Sequence, residues 1–227
     1  MIPQKAAIYH FSNTTGKRPG TYKKELEALK AFAESKGFEV SEVFFDTSLE
    51  RRKRKEFDRF QASADSFDVL VTKDFYHISK NTCKCLKDMK ELRNRGVRIC
   101  SVENGTFIIE DPPLDRPLRA ATYVCAHQYP DDMHNILTVQ NEILDLYIRK
   151  KTSWILVDQY SDVSTHNLDV EQTQLPELIM NRNKYDILLV HDLNSIHWRT
   201  AKFCKKREAL GLDILSLQDG FLKYRTA

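Results

Sequence analysis

Short apolar runs and longer amphipathic runs alternate along the chain. In the first half, "AAIYHFS" and "FEVSEVFFD" read as strands, whereas "YKKELEALKAFAESKG" places Leu26, Leu29 and Ala33 on one helical face and ends at Gly37. The runs that follow are a charged helix "RKEFDRFQASA", a strand "FDVLVTKD", a helix "NTCKCLKDMKELRNRG" and a strand "VRICSVENG". This alternation predicts an α/β fold with a mostly parallel sheet flanked by helices.

The second half repeats this order of elements. Its runs are "AATYVCA", "NILTVQNEILDLYIRKK", "TSWILVD", "EQTQLPELIMNR", "YDILLVHD", "TAKFCKKREALG" and "LDILSLQDG". Residues recur as well, because Tyr9 matches Tyr123 and Asp46 matches Asp158 in this alignment. The sequence therefore predicts two tandem domains, residues 1–111 and 117–227. The stretch "IEDPPLDRPLR" between them has three prolines and is interpreted as a short stiff linker.

The composition is that of a soluble globular protein, with 41% hydrophobic and 30% charged residues. No apolar run approaches the ~20 residues that span a bilayer, and the N-terminus lacks the pattern of a signal peptide. We therefore expect a cytoplasmic protein without membrane contact. The cysteines are odd in number and are not spaced as a zinc or redox motif, so we interpret them as reduced structural thiols and expect no metal and no cofactor. They are Cys83, Cys85, Cys100, Cys125 and Cys204.

The net charge of +3 is unevenly distributed. Residues 1–114 hold 21 Lys and Arg against 17 Asp and Glu, and residues 115–227 hold 14 against 15. The first half includes a basic run formed by Arg51, Arg52, Lys53 and Arg54. Two interpretations stay open at this point: the run binds DNA phosphates through salt-sensitive contacts, or it is a solvated, charged helix start.

A set of motifs in the first half resembles the catalytic domain of the serine recombinases, the resolvases and invertases. These motifs are a strand ending in Ser12, a strand ending in Asp46, a basic stretch, and the segment "KDFYHISKN". The resemblance covers residues 5–107 and recurs in residues 119–221. In that family the first strand ends Y-x-R-V-S, the serine attacks a DNA phosphodiester to give a phosphoserine link, and several arginines surround the phosphate.

The resemblance implies that Ser12 stands at the nucleophile position and Arg54 at one catalytic arginine. Other positions depart from the family, since Tyr76 replaces an aspartate and three residues replace arginines. Those three replacements are His10, His77 and Lys80. Loss of one guanidinium donor to a developing oxyanion typically costs on the order of 10²- to 10³-fold in rate. We therefore expect this site to be severely weakened.

The second repeat departs further from the family. Ala126 stands where Ser12 does, and Val124 stands where His10 does. Ser195 and Trp198 stand where His77 and Lys80 do. The resemblance therefore implies no phosphoryl-transfer site in this repeat. Neither repeat is followed by the long dimerisation helix and DNA-binding domain of the family, so we expect no sequence-specific DNA reading by this chain alone.

Three functions remain open from the sequence. The first is a degenerate serine-recombinase-like protein without strand exchange, DNA-associated or regulatory, which binds DNA weakly through the first repeat or binds a recombinase-family protein. The second is a residual serine recombinase or DNA-nicking enzyme that uses Ser12, Arg54 and Lys80, and the third is a protein-interaction scaffold. A homodimer is compatible with each. An open pocket shared by the predicted site residues would favour chemistry, whereas a pocket filled by Phe11 or Tyr76 would argue against it.

Overall fold

The computed structural model describes residues 3–12, 21–47, 54–106, 108–110, 116–126, 133–164 and 172–224. The chain divides into two compact units. The first comprises Met1–Lys80 with Lys84–Phe107, and the second comprises Asn81–Cys83 with Ile108–Ala227. Each unit is an α/β fold built on its own sheet.

The first unit has a five-stranded sheet in the order β2-β1-β3-β4-β5. Its elements are β1 (Gln4–Ser12), α1 (Thr21–Ser35), β2 (Phe38–Thr47), α2 (Lys55–Ser63), β3 (Val69–Thr72), α3 (Thr82–Asn94), β4 (Arg98–Ser101) and β5 (Gly105–Thr106). Strand β1 pairs in parallel with β2 and β3, and β3 pairs in parallel with β4. The short β5 returns antiparallel to β4.

The second unit has a six-stranded sheet in the order β6-β11-β10-β9-β7-β8. Its elements are β6 (Ile108–Glu110), β7 (Leu118–Ala126), α4 (Met133–Arg149), β8 (Trp154–Val163), α5 (Gln174–Met180), β9 (Ile187–Val190), α6 (Thr200–Leu210), β10 (Asp213–Ser216) and β11 (Gly220–Lys223). Strands β8, β7, β9 and β10 are parallel, and β11 and β6 are antiparallel additions. Strand β11 stands beside β10 as β5 stands beside β4, so the strand order repeats that of the first unit, and only β6 is added at the edge.

The region around the predicted linker differs from the prediction. Residues Ile108–Glu110, which the sequence analysis placed in the first domain, form an edge strand of the second sheet and pair with β11. Strand β11 itself begins at Gly220, where the sequence analysis ended the last strand. The positive φ of Gly220, 104°, allows the chain to reverse there. Both strands are only three or four residues long, too short for hydrophobic periodicity to signal them.

The core explains why the central strands are continuous apolar runs. Residues Ala6–Tyr9 of β1 are fully buried, as expected for a parallel strand with both faces covered. Helix α1 packs Leu29 and Ala33 against this strand and against β3. In the second unit, α4 packs Leu144 and Ile148 against β7 in the same way.

A buried aspartate at the end of β2 fixes the start of α2. Asp46 accepts hydrogen bonds from the Tyr9 hydroxyl at 3.2 Å and from the backbone N–H groups of Glu56 and Phe57 at 3.1 and 3.0 Å. Those N–H groups lie in the first helical turn and have no carbonyl partner within the helix. One carboxylate therefore ties β1, β2 and α2 together.

Asp162 makes the corresponding contacts in the second unit. It accepts from the Tyr123 hydroxyl at 3.0 Å and from the backbone N–H groups of Gln174 and Leu175 at 3.0 and 3.1 Å. The Thr173 N–H and hydroxyl also donate to it, at 2.9 and 3.2 Å. The match of Asp46 with Asp158 in the sequence analysis was therefore wrong. It arose because β8 was ended at Asp158, five residues before its true end.

Among the described helices, none combines the length and apolar character needed to cross a membrane. Within the same residues, no three His, Cys, Asp or Glu side chains are placed to share a metal ion. None of the five cysteines forms a disulfide.

Asp46→Ala and Asp162→Ala should both destabilise their units, because each leaves buried N–H groups without a partner. We expect Asp46→Ala to lower the free energy of unfolding by about 2–4 kcal/mol. Asp162→Ala should lower it further, because it removes more hydrogen bonds. Urea unfolding followed by circular dichroism measures both effects. Tyr9→Phe, which removes one donor only, is the control and should cost about 1 kcal/mol. Equal stability of Asp46→Ala and the wild type would contradict this role.

Candidate active site

The predicted site residues lie at one edge of the first sheet. They are His10, Ser12, Arg54, His77 and Lys80. Strand β1 ends at Ser12, Arg54 immediately precedes α2, and a 3₁₀ turn after β3 ends at His77. Because β1, β2 and β3 are parallel neighbours, their carboxyl ends meet at this edge. Three residues of the predicted DNA-binding run, Arg51, Arg52 and Lys53, lie outside the described residues.

Ser12 is the last residue of β1 and is paired with Thr47 of β2. Only 2% of its surface is exposed. A nucleophilic serine needs a path for the phosphorus atom to within about 3–3.5 Å of its oxygen. In this conformation, an incoming phosphodiester has almost no access to Ser12.

The two imidazoles at the arginine positions stack on each other. The ring centroids of His10 and His77 are 5.3 Å apart with an interplanar angle of 25°, and His10 also stacks on Phe45 at 5.7 Å. His10 is 1% exposed, and its Nε2 lies 3.2 Å from Oε2 of Glu25. These contacts place His10 inside the unit rather than on a ligand-facing surface.

Asp74 holds the second imidazole. Its Oδ1 lies 2.8 Å from His77 Nδ1 and accepts the His77 backbone N–H at 3.1 Å. Burial by itself would raise the pKa of Asp74, but the hydrogen bonds and charge of His77 outweigh burial, so the pKa lies below its usual value. His77 is therefore oriented by a carboxylate of its own turn.

Aromatic rings lie beside the remaining two cations. The Arg54 guanidinium is 5.4 Å from the centroid of Phe11, and Lys80 Nζ is 5.9 Å from the same ring and 5.6 Å from Tyr76. Arg54 also donates a hydrogen bond to the carbonyl of Ile78. Both cations are therefore engaged by protein groups, and the two residues that the sequence analysis named as possible fillers of the pocket are the ones in contact with them.

Gln172 occupies in the second unit the position of Arg54 in the first. Arg54 lies two and three residues before Glu56 and Phe57, whose N–H groups donate to Asp46. Gln172 lies two and three residues before Gln174 and Leu175, whose N–H groups donate to Asp162. Its side-chain amide donates to the carbonyls of Ser195 and Ile196, both at 3.1 Å. Ile196 corresponds to Ile78, so both side chains tie a helix start to the turn after the third strand.

Sequence reasoning missed Gln172 because glutamine and arginine share no charge. The match of Gln172 with Arg54 could have been found by aligning the first large apolar residue of each helix, which is buried in both units. This residue is Phe57 in "RKEFDRF" and Leu175 in "QTQLPEL". Both lie three residues after the position in question.

The second unit has no nucleophile at the matching strand end. Ala126 takes the place of Ser12, as the sequence predicts, and Cys125 takes the place of Phe11. Burial raises the pKa of the Cys125 thiol to about 12, so the thiol stays protonated at neutral pH. A protonated, buried thiol is not a nucleophile.

Comparison with known families decides the assignment of the chain. The sequence model described as "Resolvase, N terminal domain" matches residues 11–131, more than half of the chain. The chain belongs to the resolvase family. The matched residues include four of the five predicted site residues of the first unit, all except His10, and the match ends just before α4 of the second unit. Comparison with curated proteins gave no match.

Several solved structures are similar to this resolvase-family chain. The N-terminal catalytic domain of TP901-1 integrase is 19% identical, with 45% of this chain and 80% of that chain covered and a TM-score of 0.40. A resolvase family site-specific recombinase from Streptococcus pneumoniae is 19% identical, with coverage of 66% and 93% and a TM-score of 0.39. A Caulobacter myo-inositol binding protein is 12% identical, with coverage of 93% and 74% and a TM-score of 0.29. Since all three TM-scores are below 0.5, the family assignment rests on the sequence match.

Asp74→Asn should destabilise the first unit in a pH-dependent way. Because the folded pKa of Asp74 lies below the unfolded one, its ionised form contributes stability above about pH 4, and that contribution is lost as the pH falls through the folded pKa. The variant should thus unfold at lower urea concentration than the wild type near about pH 7, and the difference should shrink near about pH 3. Asp58→Asn, an exposed change of equal charge on α2, is the control. A difference that grows as the pH falls would refute the pairing.

Proposed function

We propose that this chain is a serine recombinase-related protein that has kept the resolvase fold as a binding module and does not cleave DNA. The observation that carries the proposal is the placement of Phe11 beside both Arg54 and Lys80. In a working site, such cations face the phosphate, where developing negative charge is stabilised. Here Arg54 lies beside the Phe11 ring and donates to the Ile78 carbonyl, and Lys80 lies beside the Phe11 and Tyr76 rings.

The other two arginine positions support the same conclusion. A guanidinium offers five donors in a fixed fork, whereas each imidazole has two ring nitrogens, and both His10 and His77 have one of these beside a carboxylate. Neither ring has the geometry to clamp a phosphate in a bidentate manner. Together with the burial of Ser12, this argues that the described residues supply no bidentate phosphate clamp beside the hydroxyl.

The presence of Arg54 does not require a catalytic role. Its hydrogen bond to Ile78 has a counterpart in the bond from Gln172 to Ile196, in a unit that has no nucleophile. A residue at this position therefore holds the helix start to the neighbouring turn whether or not the site is active. The positive charge of Arg54 in the first unit is therefore not by itself a sign of catalysis.

The second unit, predicted as residues 117–227, is proposed to be a further degenerate copy of the resolvase domain. Three features shared with the first unit support this. The strand order repeats. A register shift falls at Ala6/Ala7 in β1 and at Ala120/Ala121 in β7. Asp46 caps α2, and Asp162 caps the corresponding helix α5. A register irregularity at the same place in both copies is a specific backbone feature.

The proposed role is regulatory and cytoplasmic, through weak DNA association or through a recombinase-family protein. The basic run at residues 51–54 supplies the DNA contact in this proposal, and the excess of positive charge in the first half is consistent with it. Contacts from lysine and arginine to phosphates are independent of sequence and weaken steeply with salt.

No phosphoserine link should form. Incubation of the protein with labelled supercoiled and nicked DNA, followed by denaturation, should give no covalent adduct in the wild type or in Ser12→Ala, because the serine is buried and imidazoles stand at two of the arginine positions. An active serine recombinase treated in the same way is the positive control. An adduct that forms in the wild type and disappears in Ser12→Ala would establish the nicking enzyme instead.

DNA retention should depend on the basic run. Replacing Arg51, Arg52, Lys53 and Arg54 by alanine should abolish the gel shift of nonspecific duplex DNA, and the wild-type shift should weaken steeply with added salt. Four phosphate contacts account for about 3–4 of the log–log salt slope of the wild type. The matched control removes four exposed lysines of the same unit, Lys23, Lys24, Lys30 and Lys90, by the same substitution. Equal losses in both variants would show that net charge, not this run, binds DNA.

A further inference from the structure

An exposed tryptophan lies at the start of α6 in the second unit. Trp198 is 45% exposed, although tryptophan side chains are highly buried on average in folded proteins. The guanidinium of Arg199 lies 4.6 Å from the centroid of its ring, a distance typical of a cation–π contact. The indole is therefore held at the surface beside a cation rather than packed into the core.

The first unit shows that the fold requires neither residue. The turns before α3 and α6 are alike, because in each an aspartate side chain accepts the backbone N–H three residues later. This match places Lys80 at the position of Trp198 and Asn81 at the position of Arg199, and all four residues are exposed. Tryptophan and arginine are the residues most enriched among those that dominate binding. Their adjacent placement at exposed positions, where the fold accepts a lysine and an asparagine, indicates binding rather than packing.

A stripe of cations continues from Trp198 along α6. Arg199, Lys202 and Lys205 follow one another at intervals of three residues, which places them on one side of the helix, and all three are exposed. We call these three residues the basic stripe. Residues 199–207 hold five Lys and Arg and no Asp or Glu, although residues 115–227 as a whole hold 14 against 15. The positive charge is therefore concentrated here within a half of the chain that is otherwise slightly acidic.

Helix α3 provides the comparison for this charge. Its matched residues, 81–89, hold two lysines and one aspartate. That aspartate, Asp88, lies 2.9 Å from the Nζ atom of Lys84 and forms an ion pair with it. Lys206 stands at the matched position of α6, where it donates a hydrogen bond to Gln172. The second unit thus has a cation in place of the carboxylate that pairs with a lysine in the first.

We propose that Trp198 and the basic stripe bind single-stranded nucleic acid, with a base stacked on the indole and the backbone phosphates on the cations. An aromatic ring beside a positively charged track is the combination by which proteins hold single strands without reading their sequence. In a duplex, neighbouring pairs cover the faces of the bases, so the indole has no face on which to stack. The site therefore differs in its ligand and in its residues from the duplex contact proposed for residues 51–54.

Quenching of tryptophan fluorescence tests the stacking directly. The chain has two tryptophans, so Trp154→Phe leaves Trp198 as the reporter, and the first unit has Phe38 at the strand position of Trp154. Oligothymidylate and oligouridylate of about 12 nucleotides should both quench the emission, and the tighter binder identifies the strand as DNA or RNA. A blunt duplex of the same length should not quench it. Absence of quenching by both single strands, or equal quenching by the duplex, would overturn the proposal.

Substitution of Trp198 separates stacking from charge. Trp198→Lys restores the residue of the first unit and adds a cation, yet it should weaken oligothymidylate binding about tenfold by fluorescence anisotropy, because one stacked base is lost. Binding by charge alone would become tighter in this variant, which would refute the stacking. Polyglutamate should not displace the oligonucleotide, and displacement would indicate an acidic protein partner in its place. Circular dichroism confirms that the variant is folded.

Salt dependence tests the basic stripe. Lys202→Ala/Lys205→Ala should lower the log–log salt slope of oligothymidylate binding by about 1.4, since each phosphate contact to a single strand contributes about 0.7. The matched pair in α3, Lys84→Ala/Lys87→Ala, removes the same charge and should leave the slope unchanged. Equal losses in both pairs would mean that net charge, and not the stripe, binds the strand. Since residues 51–54 and Ser12 take no part, failure here leaves the proposed function untouched.

Discussion

A buried carboxylate at the end of the second strand is the constraint on which the site edge of each unit depends. Asp46 joins the Tyr9 hydroxyl to the first turn of α2, and Asp162 does the same with Tyr123 and α5. Both aspartates are buried, and each satisfies orphan N–H groups that nothing else in the helix can satisfy. The direction in which the helix leaves the sheet is therefore fixed independently of the residues that would carry chemistry.

This arrangement makes the helix start independent of which residues occupy the predicted site. The position two residues before the capped N–H groups is held against the neighbouring turn by Arg54 in one unit and by Gln172 in the other. Either side chain supplies the donor, so the structure does not demand a positive charge there. The nucleophile position is still less constrained, because the strand end packs equally well as Ser12 or Ala126, both nearly inaccessible.

The sequence predicts most of the fold because the central strands are buried on both faces and the helices have one buried face. Those features leave periodic apolar patterns, and every predicted strand and helix run overlaps an observed element. The patterns do not predict β6 and β11, because strands of three or four residues are too short to show a period. These two strands are recognised from their pairing in the structure. They also ended β8 too early, because its apolar run stops at Val157 and the strand continues through mostly polar residues. This error shifted the match of Asp46 to Asp158.

The candidate site is predicted less completely, because residue identity does not specify contacts. The strand and turn positions of Ser12, His77 and Lys80 follow from their motifs, but the placement of the Phe11 ring beside two cations depends on side-chain packing that no spacing rule contains. Comparison of the two units partly replaces that missing information. Both units have an aspartate that accepts hydrogen bonds from a helix start, Asp46 in one and Asp162 in the other, so this contact belongs to the fold. Where the units differ at equal burial, as at Ser12 and Ala126, the fold permits more than one residue, and the difference bears on the site rather than on packing.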